Sequence, residues 1–578
     1  MKSFLILFFC MTAGVFAENI FVADEKTPVS QALEQSRKIT GPRTLVLRGT
    51  HVLTEPLLLD ARDNDLTLLS ENGLLTGGVT CGDWKNDGEL DYVEIPENIR
   101  PRTLFLEDGT FCPPAVFPLE GHLQHTCKPQ NLWWRNSTNG GWNRPLSEEE
   151  LTHVTLVPTD LPAEMEVENA EITLFHSWDA STVPIKSLDR TTGEVVLESR
   201  TEHPAGAFGN RDYVLCNVRQ GMAPGRWYFD KRRHRVYFQW GNQPKKPVVV
   251  SPLEHLILAD GVKNLTLCGL TFRFTNPSFR TSGLRSINMP GAVEFRNCEN
   301  VTLETCTLQG VGGHGIKMLR CRNTKILKSV LEQTGAGGIF THECEDETIA
   351  ECLLRNIGQQ FFSSVSLHVG GKSQLVFVQD GKKPEQGTTR ILHNQIDGSP
   401  YCGITCNGGP HVIDGNRIRN CMRVLNDGAA IYCSRAVGTV VRNNHAENIR
   451  GKMGLAIAYY FDEDSRLCVL ENNESVDCPR PFLAHRCRDI LIAGNRFSAS
   501  DAMKVMLHHS DHFVFRDNRF TTDGDLYLDF FPEKMTEEEK REKFPFGSLF
   551  SNTQLHSGTG KYLILETELP PVKGILRK

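Results

Sequence analysis

Cys298, Cys321 and Cys344 stand 23 residues apart, and the sequences around them align as "NCENVTLETCTLQGVGGHGI", "RCRNTKILKSVLEQTGAGGI" and "ECEDETIAECLLRNIGQQ". Cys306, Ser329 and Cys352 repeat the offset eight residues further on. Downstream, asparagine carries the phase: Asn394, Asn416, Asn444, Asn473, Asn495 and Asn518 are separated by 22, 28, 29, 22 and 23 residues. A period of this length marks a solenoid. Its short β-rich runs lie between Gly and Asn turns, which suits strands rather than helices. One residue type returning at the same turn of successive coils makes a ladder with strands about 4.8 Å apart. The expected fold class is therefore all-β, a parallel β-helix.

The ladder supplies plain readings for residues that otherwise suggest chemistry. Cysteine is small and readily buried, so cysteine columns are expected as packed free thiols. Seventeen of the eighteen cysteines follow residue 17, an odd number that cannot pair completely in a monomer. No compact Cys-x-x-Cys pair points to a metal site. Asn264, Asn300 and Asn473 fit the Asn-x-Ser/Thr sequon but fall on strand-turn positions, and are read as ladder residues.

Residues 1–17, "MKSFLILFFCMTAGVFA", combine Lys2, an apolar run and small residues before Ala17, the arrangement of a secretory signal peptide. No other long apolar run follows, so the expectation is a protein without a membrane span, secreted or periplasmic after cleavage near Ala17. A net charge of −7 without a clustered basic surface argues against nucleic acid as a partner. Residues 18–82 hold "PVSQALEQSRKI", an amphipathic helix suited to cap the open edge of a solenoid, followed by first coils. Residues 83–250 lose the period and are read as an inserted β-rich domain. The main β-helix spans 251–525, and 526–578 form a tail whose "EKMTEEEKREKF" suggests a surface helix packed on the last coils.

The coils of 28 and 29 residues contain Asp427 and Asp462. Extra length in a solenoid goes into loops on one face, frequently the binding face. Asp427 lies in Asn-Asp-Gly, which is also ordinary turn chemistry. If the aligned apolar residues Ile316, Ile339, Leu367, Ile404, Ile431 and Tyr459 point inward, alternation sends Lys317, Phe340, His368, Thr405, Tyr432 and Tyr460 outward. Two residues further come Leu319, His342, Gly370, Asn407, Ser434 and Asp462. Such a floor of aromatic, imidazole, amide and carboxylate groups suits sugar, and cleavage of a glycosidic bond takes two carboxyl groups in different protonation states. Asp427 and Asp462 are the candidate pair, with His368, Asn407, Tyr432, Arg435, Tyr460 and Glu463 as candidate substrate contacts. Glu463 and Asp464 crowd Asp462, and like charges raise a carboxyl pKa. A structural calcium ion is the competing use of such a cluster. Asp427 precedes its strand while Asp462 ends the equivalent one, so the long loops must curl back for the two to meet.

The "NDGAAIYCSR", "GTVVRNNHAENI", "YFDEDS", "SLHVGG" and "SPYCGI" segments, with "PGRWYFD" and "VYF" closing the insert, resemble secreted right-handed parallel β-helix proteins that include glycoside hydrolase family 141. That family has α-L-fucosidase and xylanase members. The resemblance runs in order through most of the chain after residue 17. It implies an acidic pair on adjacent coils, mapping onto Asp427 and Asp462. This chain departs from the pattern at Ala429, where glycine is expected, and at Glu463-Asp464, where Asp-Gly is expected. The implied function is an exported glycoside hydrolase acting on a plant or algal polysaccharide or a derived oligosaccharide, without a catalytic cofactor. The alternatives are a polysaccharide lyase, for which Arg435 and Lys452 are candidate bases and Lys317 the sole cation of the floor, and a non-catalytic glycan-binding protein.

Overall fold

The computed structural model describes residues 19–135, 140–371, 388–451, 454–531, 536–564 and 567–577. The expected signal peptide and Lys452 lie outside these. Most coils contribute three strands. Glu299–Glu304 and Thr307–Val311, for example, pair in parallel with Arg322–Leu327 and Val330–Thr334 of the next coil. The third strand of each coil joins a separate 14-stranded sheet that includes Leu367–Gly370, Ile404–Asn407, Gly428–Ser434, Ala456–Asp462 and Phe482–His485.

The register along this sheet reproduces the row read from sequence. Ile316, Ile339, Leu367, Ile404, Ile431 and Tyr459 are cross-strand neighbours in succession. All are at most 1 % exposed, forming a buried column inside the solenoid. The next column reads Lys317, Phe340, His368, Thr405, Tyr432, Tyr460, Leu483 and Met506, on the other face of the same strands.

The asparagine ladder is a continuous hydrogen-bonded stack. Asn416, Asn444 and Asn473 each donate from the backbone N–H to the next asparagine's Oδ1 at 2.9 Å. Their Nδ2 groups donate to carbonyls of the preceding coil, Ile391, Ile413 and Val441, also at 2.9 Å. Burying these backbone groups without partners would cost about 1–3 kcal/mol each. The cysteine column joins this ladder: Cys306 N–H donates to Ser329 Oγ at 3.2 Å and Cys352 N–H to Asn394 Oδ1 at 2.9 Å. All seventeen described cysteines are free, sixteen of them buried. Asn264, Asn300 and Asn323 make a second, exposed ladder with left-handed backbones, a conformation asparagine tolerates.

The helix Val29–Ser36 buries Val29, Ala32 and Leu33 against the first strands, Ile20–Ala23 and Arg43–Val52, and so covers the end of the coil. After Val79–Cys81 the chain leaves the solenoid and returns through Val248–Val250, paired antiparallel with that same strand. Between them stand antiparallel sheets, the largest built around Glu171–Phe175, Ala180–Leu188 and Asp212–Cys216, over a core of Val154, Ile172, Leu174, Val183 and Leu215. Coiling continues past residue 525. Leu526–Phe531 pairs with Met503–His508, and Thr553–Ser557 pairs with Arg519–Thr522. The helix Glu537–Lys543, capped by Thr536 and Glu539, interrupts this last coil and hides its period in the sequence.

Candidate active site

Asp427 and Asp462 come together because alternation breaks inside their strands. Pairing between Gly428–Ser434 and Ala456–Asp462 runs Gly428 to Ala456 and Ala429 to Ile457, then resumes at Ile431 to Tyr459. Ala430 and Ile431, and likewise Ala458 and Tyr459, both belong to the inner core, whereas Ala429 and Ile457 join Tyr460, Leu483 and Met506 on the outer face. Two successive inward residues reverse the parity of everything before them, as a bulge does. Asp427, which strict alternation would point inward with Ile431, is thereby placed on the outer side with Tyr432 and Tyr460. No long loop has to curl back.

The Asp427 backbone is left-handed, with φ 54°, and is held from both neighbouring coils. Its N–H donates to the Leu455 carbonyl at 2.8 Å, and its own carbonyl accepts from the Tyr401 hydroxyl at 2.8 Å. Asn426 Oδ1 accepts from Leu455 N–H at 2.6 Å, while Asn426 N–H donates to the Ser177 carbonyl, from the excursion outside the solenoid, at 3.1 Å. The turn chemistry of Asn-Asp-Gly thus fixes a carboxyl group whose ionised form the Tyr460 hydroxyl favours. Burial and then the charge of Asp462 push the Asp427 carboxyl up to about 6.

Asp462 is 9 % exposed and accepts from two donors. Tyr432 Oη reaches Oδ2 at 2.6 Å and His485 Nδ1 lies 2.8 Å from Oδ1. Burial disfavours a charged His485, but the hydrogen bond and the charge of Asp462 outweigh it and raise the imidazole above its ordinary value. Glu463, 6 % exposed, brings Oε1 to 4.0 Å from His485 Nδ1. Asp462, Glu463 and His485 offer ligand atoms within 4.8 Å of one another. Calcium prefers all-oxygen shells, so an imidazole in this trio fits a softer ion better than the calcium considered from sequence.

Of the residues singled out in sequence, Tyr432, Tyr460 and Glu463 join the carboxylate pair. Arg435 adjoins it through its backbone, whose N–H donates to the Asp462 carbonyl at 3.0 Å. Asn407 is two coils away in the column of Asp462, its buried Oδ1 without a partner among the described residues. His368 is 2 % exposed, bonded to Thr405 Oγ1 at 2.7 Å and packed on Phe340, and burial drives its pKa well below the ordinary value. Lys317 is likewise committed, with Nζ donating to the Ile287 and Met289 carbonyls at 2.7 and 2.9 Å.

Sequence reasoning missed His485, Tyr401 and Arg285. His485 occupies the Asp462 position one coil on, and extending the strand alignment by "FLAH" would have found it. Arg285 sits on a loop where it and Ser286 both have left-handed backbones, φ 53° and 58°, and its N–H donates to Ser363 Oγ at 2.9 Å. Its positive charge lowers the pKa of Tyr401, Tyr432 and His368, against the larger effect of burial on the two tyrosines.

A family model described as "Right handed beta helix region" matches residues 382–525. The solenoid is a right-handed parallel β-helix. No curated protein matches the sequence. Among solved structures, one named "Glycoside hydrolase" superposes on this β-helix with a TM-score of 0.61 at 14% identity, covering 86% of this chain and 96% of its own. A xylose complex of XylC reaches a TM-score of 0.39 at 10% identity, covering 96% and 86%. A family 28 exopolygalacturonase from Yersinia enterocolitica reaches 0.30 at 10% identity, covering 96% and 79%. At 14% identity the likeness to the first is one of fold. No described helix is long and apolar enough to cross a membrane.

Proposed function

We propose that this β-helix protein is an exported glycoside hydrolase of the family 141 type, cleaving a glycosidic bond in a plant or algal polysaccharide or an oligosaccharide from one. The observation that carries the reading is the pairing of Asp427 with Asp462, the first pushed up to about 6 by burial and by the charge of the second. Glycosidic cleavage needs this asymmetry: one carboxyl group must hold a proton for the leaving oxygen while the other acts from the opposite side of the sugar. Asp427 is the proton donor. Asp462, steadied by Tyr432 and His485, is the carboxylate that either attacks the anomeric carbon or activates water. Loss of the Asp427 proton as pH rises through about 6 removes the acid, so activity falls on the alkaline side.

A lyase reading draws on Arg285, a cation whose charge is felt at Tyr432 and which the sequence floor lacked. The two reactions differ in product. Incubation with a panel of soluble plant and algal polysaccharides, followed by mass spectrometry, should yield saturated products that together outweigh the substrate by one water per bond cut. Unsaturated uronate products would replace hydrolysis with elimination, and binding without any product would leave a glycan-binding protein.

A further inference from the structure

Outside the solenoid, the hairpin Glu171–Phe175 and Ala180–Leu188 turns through residues 176–179 directly beside Asp427. The turn is clamped on both sides of Trp178. Ser177 accepts from Asn426 N–H at 3.1 Å, and Asp179, wholly buried, accepts from Ser363 Oγ at 2.5 Å and faces His203 Nδ1 at 3.2 Å. Ser363 in turn accepts from Arg285 N–H at 2.9 Å. The indole between these anchors keeps partial exposure, with its inner edge against the solenoid core.

Three further rings cluster with Trp178. Phe208 lies 4.2 Å from it between centroids, Trp142 lies 5.2 Å from Phe208, and Trp134 lies 4.8 Å from Trp142 and 6.1 Å from Trp178. All four are partly exposed, and none belongs to the aliphatic core beneath the neighbouring sheet. Trp133 beside them is 59% exposed. The rings pack around the buried imidazole of His203 and keep part of their surface in water, and partly exposed aromatic rings grouped in this way suit an interaction surface. The ligand chemistry follows from position. An indole face offers a flat apolar area to the C–H face of a sugar ring, and the clamp makes this area continuous with the loop that carries Asp427.

We infer that Trp178, with Phe208, Trp142 and Trp134, forms a binding subsite for a sugar residue adjoining the one cleaved, supplied by the excursion outside the β-helix. This rests on the reading of the Asp427 site as one that acts on glycan, and it assigns chain-length selectivity to these rings.

Binding and turnover are separable in a test. Asp427→Asn protein, which should bind without cleaving, is titrated calorimetrically with xylohexaose, laminarihexaose, a xyloglucan heptasaccharide and hexagalacturonate. At least one should bind, and adding Trp178→Ala should weaken it by about 10- to 100-fold, as for a buried aromatic anchor. Trp178→Phe should recover most of the loss, and Phe208→Ala, which leaves the clamp intact, should also weaken binding. No binding by any of the four, or equal binding after both alanine substitutions, overturns the subsite. Neither result depends on whether the wild-type protein hydrolyses anything. Failure of hydrolysis appears separately, as absence of product with the wild-type chain.

Discussion

Replacing Tyr460 by Phe tests the electrostatics that set Asp427 apart. Tyr460 is 4 % exposed, its ring packed with Ala429, Ile457, Leu483 and Met506, so the substitution keeps the packing and deletes one hydroxyl. That hydroxyl favours the ionised Asp427 carboxyl and holds its pKa lower than burial and Asp462 alone would set it. A hydrogen bond to a charged group is worth about 1.5–3 kcal/mol, and 1.36 kcal/mol is one pKa unit. With partial rehydration of the space vacated, the Asp427 pKa should rise by roughly one unit. Its starting point is about 6. The direction follows from the ionic form: deleting a donor destabilises the carboxylate, so protonation persists to higher pH. The assay is the pH profile of kcat/KM, whose alkaline limb reports the acid of the free enzyme. The limb should move up by about one pH unit, so that well above it the variant keeps about ten times more of its own plateau than the wild type does of its own. The plateau itself can fall without affecting the limb. A limb that stays put, or moves down, would refute the assignment of Asp427 as the acid.

Asn444→Ala removes the acceptor of two Asn416 donors and the donor to the Ile413, Arg442 and Asn473 oxygens. It should cost about 2–4 kcal/mol and speed amide exchange at Asn416, measured by urea melting and hydrogen exchange, whereas an unchanged midpoint would contradict the ladder's role. Thiol titration of denatured, unreduced protein should find the seventeen free cysteines, and eight disulfides would contradict the columns. Chelation with EDTA should leave activity intact, since both Asp462 oxygens are already engaged by Tyr432 and His485. Activity lost to EDTA and restored by a divalent ion would make the Asp462, Glu463 and His485 trio a metal centre.

The coil register was legible because inward positions of this sheet carry Ile, Leu or Tyr at a nearly fixed phase, and a stack of parallel strands converts phase directly into contact. The asparagine ladder was legible for the same reason. The meeting of Asp427 with Asp462 was foreseen, but its route was not: small Ala430 and Ala458 let two successive residues face inward, and alanine is neutral to a pattern reading. His368 lined up in its column, but its burial was not legible, because register says which face a side chain takes and nothing of what covers it. The contacts of Ser177 with Asn426 and of Asp179 with Ser363 join segments far apart in the chain, beyond any local period. Arg285 owes its place to two consecutive left-handed residues, neither a glycine.

Substituting Asn for Asp427 tests the central claim most directly. The amide preserves the size of the side chain and the left-handed turn, for which asparagine is equally suited, and removes only the ionisable proton. On a substrate whose hydrolysis by the wild-type protein is established, kcat should drop by about 10²- to 10⁴-fold with thermal stability retained. A variant that hydrolyses the same substrate within a few-fold of wild type would show Asp427 to be a turn residue only, and the two-carboxylate account would fall with it.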